Sequence, residues 1–143
     1  MIEGGGEACN GLSFDMMARS LDARRLVVRR TLVDAYALQH PRTQCERPED
    51  VARHLLRLCC AIEYDGSLDI YSGIKIWLKH AYDLPELRPP DMRGSMTILD
   101  AAAADGLEIY IEVVRKWSVC VWDAWHLHHE IVRSWVKEIR DSR

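Results

Sequence analysis

The carboxy-terminal residues 107–140 constrain the fold most, because they contain neither glycine nor proline and carry apolar residues at helical spacing. One stripe consists of Trp117, Val121, Ala124, His128, Ile131 and Trp135. Residues three or four apart share one face of a helix. A neighbouring stripe consists of Trp122, Trp125, His129 and Val132. We therefore predict one long helix over 107–140 that lies centrally and is contacted from several sides.

The rest of the chain shows the same helical periodicity, and no stretch alternates with the period of a β-strand. Proline and Asp-Gly pairs separate the segments. Helices are expected at about 13–20, 22–40, from 48 to the stop at Asp65-Gly66, at 67–81, 97–104 and 107–140. The predicted fold is all-α, a compact bundle of four main helices with one or two short ones. We expect a flexible amino terminus over 1–11 and a single helical domain over 12–143.

Composition excludes several classes of protein. The net charge of −3 argues against a general nucleic-acid binder, which needs a basic surface. An early arginine cluster that includes Arg29 and Arg30 is typical of a solvated helix face. No apolar run is long enough to span a bilayer, and the first residues do not resemble a secretory signal, so we expect a cytoplasmic protein without a membrane partner. The five cysteines form no CxxC pair and are expected to be reduced thiols.

The aromatic residues are unusual, with five tryptophans and five tyrosines but only one phenylalanine. A tryptophan combines a large apolar body with a polar N–H group. Trp117, Trp122 and Trp125 lie close together on the predicted last helix. We predict that Trp122 and Trp125 wall a pocket, which the proline-rich segment 84–96 covers.

Three histidines are predicted to point inward from three different helices. His128 belongs to the apolar stripe of the last helix, His54 borders the stripe of the third, and His40 lies on the apolar side of the second. Neutral imidazoles from separate helices can hold a divalent metal such as zinc. A metal-free polar pocket and purely structural histidines are the two alternatives, and the sequence leaves all three open.

The same residues predict what the pocket could do. The predicted ligand-binding residues are Asp34, Tyr36, Trp122, Trp125 and His129. His54 and His128 are the candidates for a general acid or base, because the pKa of an imidazole ordinarily lies near neutrality. Asp34 could support a histidine from another helix. The sequence contains no GxSxG, HExxH or P-loop pattern, so no known catalytic motif names a reaction.

Four segments together resemble an uncharacterised bacterial family, domain of unknown function 5946, over about residues 20–137. They are DAYALQHP (34–41), VARHLLRLC (51–59), RPPDMRGSMTILD (88–100) and the Trp/His pattern of 117–135. The resemblance implies no activity, because none is established for the family. It does place Asp34, His40, His54, His128 and the tryptophans in recurrent motifs. Some relatives begin with paired cysteines like those of a zinc knuckle, whereas this chain has only Cys9 there.

Two functional hypotheses follow. In the first, the chain is a small intracellular protein that binds a small molecule or a divalent metal in its His/Trp pocket, with or without acid–base catalysis. In the second, it is a non-catalytic interaction module, or a homodimer, that uses the Trp-rich last helix as its contact surface. The exposure of Trp122 and Trp125 should separate the two.

Overall fold

A computed structural model describes residues 23–142, with side chains from residue 28 onward. Within this range the chain forms seven α-helices, one 3-10 helix and no β-strand, so the predicted all-α fold is confirmed. The helices are α1 (Ala23–Gln39), α2 (Pro41–Gln44), α3 (Pro48–Glu63), α4 (Leu68–His80), α5 (Ile98–Ala102), α6 (Leu107–Ala124), the 3-10 helix (His126–His128) and α7 (His129–Asp141). The flexible segment predicted at 1–11, its boundary with the helical domain, and the helix predicted at 13–20 lie outside the described residues.

Local sequence explains where several helices begin. Pro48 occupies the first turn of α3, and the Asp50 carboxylate accepts the backbone N–H groups of Glu46 and Arg47. Thr97 caps α5 by accepting the N–H of Leu99 at 3.2 Å, while Asp100 accepts the Thr97 N–H at 2.8 Å. These side chains satisfy backbone donors that the first turn of a helix leaves unpaired.

The core lies between α1, α3, α6 and α7, with α4 packed against α3 and α7. Helix α3 is the central element, because it packs against α1, α4, α6 and α7. Its buried face is lined by leucines and by the thiols of Cys59 and Cys60, neither of which forms a disulfide. Burial raises the pKa of Cys59 to about 12 and that of Cys60 to about 11, so both thiols stay protonated at neutral pH.

The prediction of one continuous helix over 107–140 is wrong. Helix α6 ends at Ala124, a 3-10 turn follows, and α7 begins at His129. At this break the Trp122 carbonyl accepts a hydrogen bond from the Trp125 N–H at 3.0 Å and one from the His129 ring at 2.7 Å. The imidazole therefore caps α6, and the two predicted apolar stripes do not continue past Trp125.

None of the helices in the described part of the chain combines the length and the apolar character needed to cross a bilayer.

Candidate functional site

A buried carboxylate joins α1 to α3. Asp34 of α1 is 1% exposed, and its Oδ1 accepts a hydrogen bond from His54 Nδ1 at 2.8 Å. The Nε of Arg57, one turn further along α3, lies 3.3 Å from Asp34 Oδ2. Both carboxylate oxygens are thus engaged, and the bond from Nδ1–H orients the imidazole of His54.

Burial raises the pKa of Asp34 above its ordinary value of 3.8, and the hydrogen bond from His54 and the charge of Arg57 offset this only in part. The phenol ring of Tyr71 on α4 lies near the same cluster, with the guanidinium of Arg30 5.5 Å from its centroid. Burial raises the pKa of Tyr71 to about 12, so the phenol is neutral at physiological pH.

An open groove of about 980 Å³ lies next to this cluster, between α3 and α4, and also reaches Arg30 of α1. We call it the cationic groove. Its charged lining residues are Arg30, Arg47, Glu49, Arg53, Arg57, Lys75 and Lys79. Its other lining residues are Leu68, Tyr71, Ser72, Ile74, Ile76 and Leu78. Arg57 belongs to both the groove and the Asp34 cluster, so the two form one site.

Carboxylates neutralise part of this positive charge. Arg53 NH1 lies 3.1 Å from Asp50, and Arg47 lies 3.9 Å from both Glu49 and Asp50. Counting Asp34 with these two acids, the six cationic side chains exceed the carboxylates by three. The groove therefore carries a positive charge in a chain whose net charge is −3.

The three histidines predicted to hold a metal do not come together. His54 bonds Asp34, His128 donates from Nε2 to the Arg88 carbonyl at 2.8 Å, and the His40 ring packs against Tyr36 with centroids 4.8 Å apart. No group of three or more His, Cys, Asp or Glu side chains among residues 28–142 is arranged to hold a metal ion. Each of the three rings is thus turned toward a different partner, and zinc binding by His40, His54 and His128 stays a prediction.

The predicted pocket wall is part of the interior. Trp125 is fully buried and donates its indole N–H to the Leu38 carbonyl at 3.1 Å. Trp122 is 3% exposed and donates to Glu63 Oε2 at 2.9 Å, while the His129 ring stacks on it at 3.9 Å. Tyr36 is also buried. None of these residues lines the cationic groove, whereas Asp34, another predicted ligand-binding residue, contacts Arg57 of its lining.

Gln39 is a residue whose role the sequence reasoning missed. Its amide nitrogen donates to the carbonyls of Arg93 and Met96, and its amide oxygen accepts the indole N–H of Trp117 at 3.0 Å. In return, the Arg93 guanidinium donates to the Gln39 carbonyl at 3.0 Å. A single buried amide thus fastens the segment 84–96 to α1 and α6. The feature of the sequence that could have revealed this role is an amide side chain within the largely apolar segment 34–41.

The cationic groove was also missed, since Arg30 was interpreted as part of a solvated face. Its residues come from α1, α3 and α4 and share no motif in the sequence. Only the packing of these helices reveals that six cations surround one depression.

The site thus belongs to an all-α protein in which a buried aspartate binds a histidine and an arginine beside a positively charged groove. A sequence profile of a family of unknown function, DUF5946, matches residues 2–126. The match covers most of the chain, and the protein belongs to this family. The chain matches no curated protein and no solved structure.

Proposed function

We propose that this protein binds a small anionic ligand in the cationic groove. The observation that carries the proposal is the gathering of Arg30, Arg47, Arg53, Arg57 and Lys75, together with Lys79, around one depression that has a single acidic lining residue. Like charges brought together in this way repel one another, so an anion that enters the groove relieves the repulsion.

Two features of the site support ligand binding over a purely structural role. The fold does not require Lys75 and Lys79 for packing, because both are exposed. Arg57 is held at one end by Asp34, which presents its guanidinium in a fixed position, and such a donor array suits carboxylate or phosphate oxygens.

The test is calorimetric titration with inorganic pyrophosphate at low salt. We expect saturable binding, and we expect Lys75→Gln/Lys79→Gln to weaken it at least tenfold, since two charges at the groove are lost. The matched control is Lys116→Gln/Lys137→Gln, which removes two exposed lysines on α6 and α7, outside the groove. The control should bind as the wild type does. Absence of binding to the wild type, or equal weakening by both double variants, would contradict the proposal.

A specific observation favours acid–base catalysis as a second candidate function. His54 is 13% exposed on its side chain, and Asp34 holds its Nδ1–H, so its Nε2 is the atom available for proton transfer. Of the two histidines predicted for this role, His54 has the stronger support, because its partner Asp34 also contacts Arg57 of the cationic groove.

The interaction-module hypothesis remains a proposal with weaker support. It relied on an exposed Trp-rich surface, yet Trp117, Trp122, Trp125 and Trp135 are all buried within the chain. A homodimer contact would have to use other residues. The cytoplasmic location likewise stays a prediction.

A further inference from the structure

Two exposed apolar side chains line the cationic groove. Leu68 is 73% exposed and Ile76 is 57% exposed, and both project from α4. Exposed single apolar residues are common on protein surfaces. This pair differs from such residues because it shares one depression with six cationic side chains.

The spacing along α4 defines how these groups are arranged. Leu68, Ser72 and Ile76 follow each other at intervals of four residues, so they form one row on the helix that is about 12 Å long. Lys75 and Lys79 flank this row toward the end of α4. A four-residue connection joins α3 to α4, the two helices pack against each other, and Arg53 and Arg57 of α3 line the same groove as this row.

A compact anion would satisfy the cations and leave the apolar row in water. We propose that the natural ligand is a single-chain amphiphile, with a phosphate or carboxylate head bound by the cations and an alkyl chain lying along Leu68 and Ile76. This inference rests on the proposed function, since it names the class of anion that the same groove binds. Apolar burial supplies affinity, and the charged head supplies orientation.

The test is a series of alkyl phosphates (ethyl, butyl, hexyl and octyl phosphate), titrated below their micelle-forming concentrations and compared with inorganic phosphate. We expect affinity to rise about two- to fourfold for each added methylene, as apolar surface leaves water. In Leu68→Ser/Ile76→Ser this dependence on chain length should become flat, while the affinity for inorganic phosphate stays unchanged.

The matched control is Ile109→Ser/Leu127→Ser. These residues are 53% and 81% exposed and lie away from the groove. The control should keep the wild-type dependence on chain length. Folding of every variant is verified by circular dichroism, and the phosphate affinity is an internal check on the groove.

Each outcome tests either the proposed anion binding or the inference that the anion is an amphiphile. If no phosphate compound binds, the proposed function fails. If inorganic phosphate binds but affinity is independent of chain length, or if both serine variants flatten the series equally, the amphiphile inference fails and the anion site stands. A parallel sedimentation assay uses phosphatidylcholine vesicles that contain phosphatidylglycerol. Vesicle binding that Leu68→Ser/Ile76→Ser abolishes, without uptake of monomeric octyl phosphate, would overturn the inference in favour of a lipid surface.

Discussion

At the scale of single residues, tryptophan N–H groups explain the unusual aromatic composition. Four indoles donate to defined acceptors on other parts of the chain: Trp77 to Glu138, Trp117 to Gln39, Trp122 to Glu63 and Trp125 to Leu38. Phenylalanine would fill similar volume but could not make these bonds. The tryptophans therefore connect elements as well as filling the core.

Gln39 accepts one of these indole bonds and also holds the carbonyls of Arg93 and Met96, and Gln39→Ala should reveal how much this contributes to stability. We expect the free energy of unfolding to fall by about 2–4 kcal/mol, because the variant leaves the buried Trp117 N–H and two carbonyls without their partner. Urea denaturation measures the change. Gln44→Ala removes an exposed glutamine and should cost less than about 0.5 kcal/mol. Equal losses in the two variants would show that the amide does not hold segment 84–96.

At the scale of elements, close packing of α4 on α7 explains a glycine within a helix. A Cβ atom at Gly73 would meet the Cγ2 methyl of Ile139 far inside van der Waals distance. Ile139 is fully buried and β-branched, so its methyl group cannot move aside easily. Glycine ordinarily weakens the interior of a helix, but Gly73 is what lets these two helices approach.

We expect Gly73→Ala to lower the free energy of unfolding by about 1–3 kcal/mol, even though alanine is the better helix former. Replacing Ile139 by alanine removes the offending methyl group. A double-mutant cycle with Ile139→Ala should therefore show favourable coupling of at least about 1 kcal/mol. Additive effects of the two substitutions would mean that the contact does not limit the approach of the helices.

At the scale of the whole molecule, the buried carboxylate of Asp34 and the partly buried carboxylate of Glu63 each join two helices. We expect them to change the stability of the fold with pH in opposite directions. Burial raises the pKa of Asp34, whereas the Arg133 guanidinium, at 2.8 Å from both Glu63 oxygens, lowers the pKa of Glu63. An acid with a raised folded-state pKa stabilises the fold below its unfolded pKa, and this stability is lost as pH rises through the folded value. An acid with a lowered pKa stabilises the fold above its unfolded pKa, and that stability is lost as pH falls.

The measurement is the free energy of unfolding against pH for the wild type, Asp34→Asn and Glu63→Gln. The advantage of the wild type over Asp34→Asn should shrink as pH rises from the ordinary carboxyl value of 3.8. Its advantage over Glu63→Gln should grow as pH rises toward and past 4.5. Parallel curves for the two variants would mean that Arg57 and His54 outweigh burial at Asp34.

Several elements were predictable from local chemistry. The helix predicted at 22–40 is observed at Ala23–Gln39, and the one predicted to begin at Pro48 begins there. The short helix expected at 97–104 is observed at Ile98–Ala102, with Thr97 as its N-cap. Proline, Asp-Gly pairs and capping side chains act within a few residues, so sequence alone shows their effect.

The candidate site was only partly predictable, because its contacts join residues that lie far apart in the chain. Asp34 and His54 were both singled out, and Asp34 was considered as a partner of a histidine from another helix, but the sequence did not show which histidine it would be. The break at Trp125 depends on hydrogen bonds from distant parts of the fold, because its indole is held by Leu38 of α1.

The sequence by itself thus determined the helical class, most helix boundaries and membership of a family of unknown function. Helical periodicity and capping are local properties, and they are encoded by neighbouring residues. Only the tertiary structure decided that the last helix is broken, that α3 is central, and that cations from three helices surround one groove. These features arise from packing between segments that are far apart in the chain. Helical periodicity allows several arrangements of the same helices, and the shapes and hydrogen-bond partners of the packed side chains select one of them.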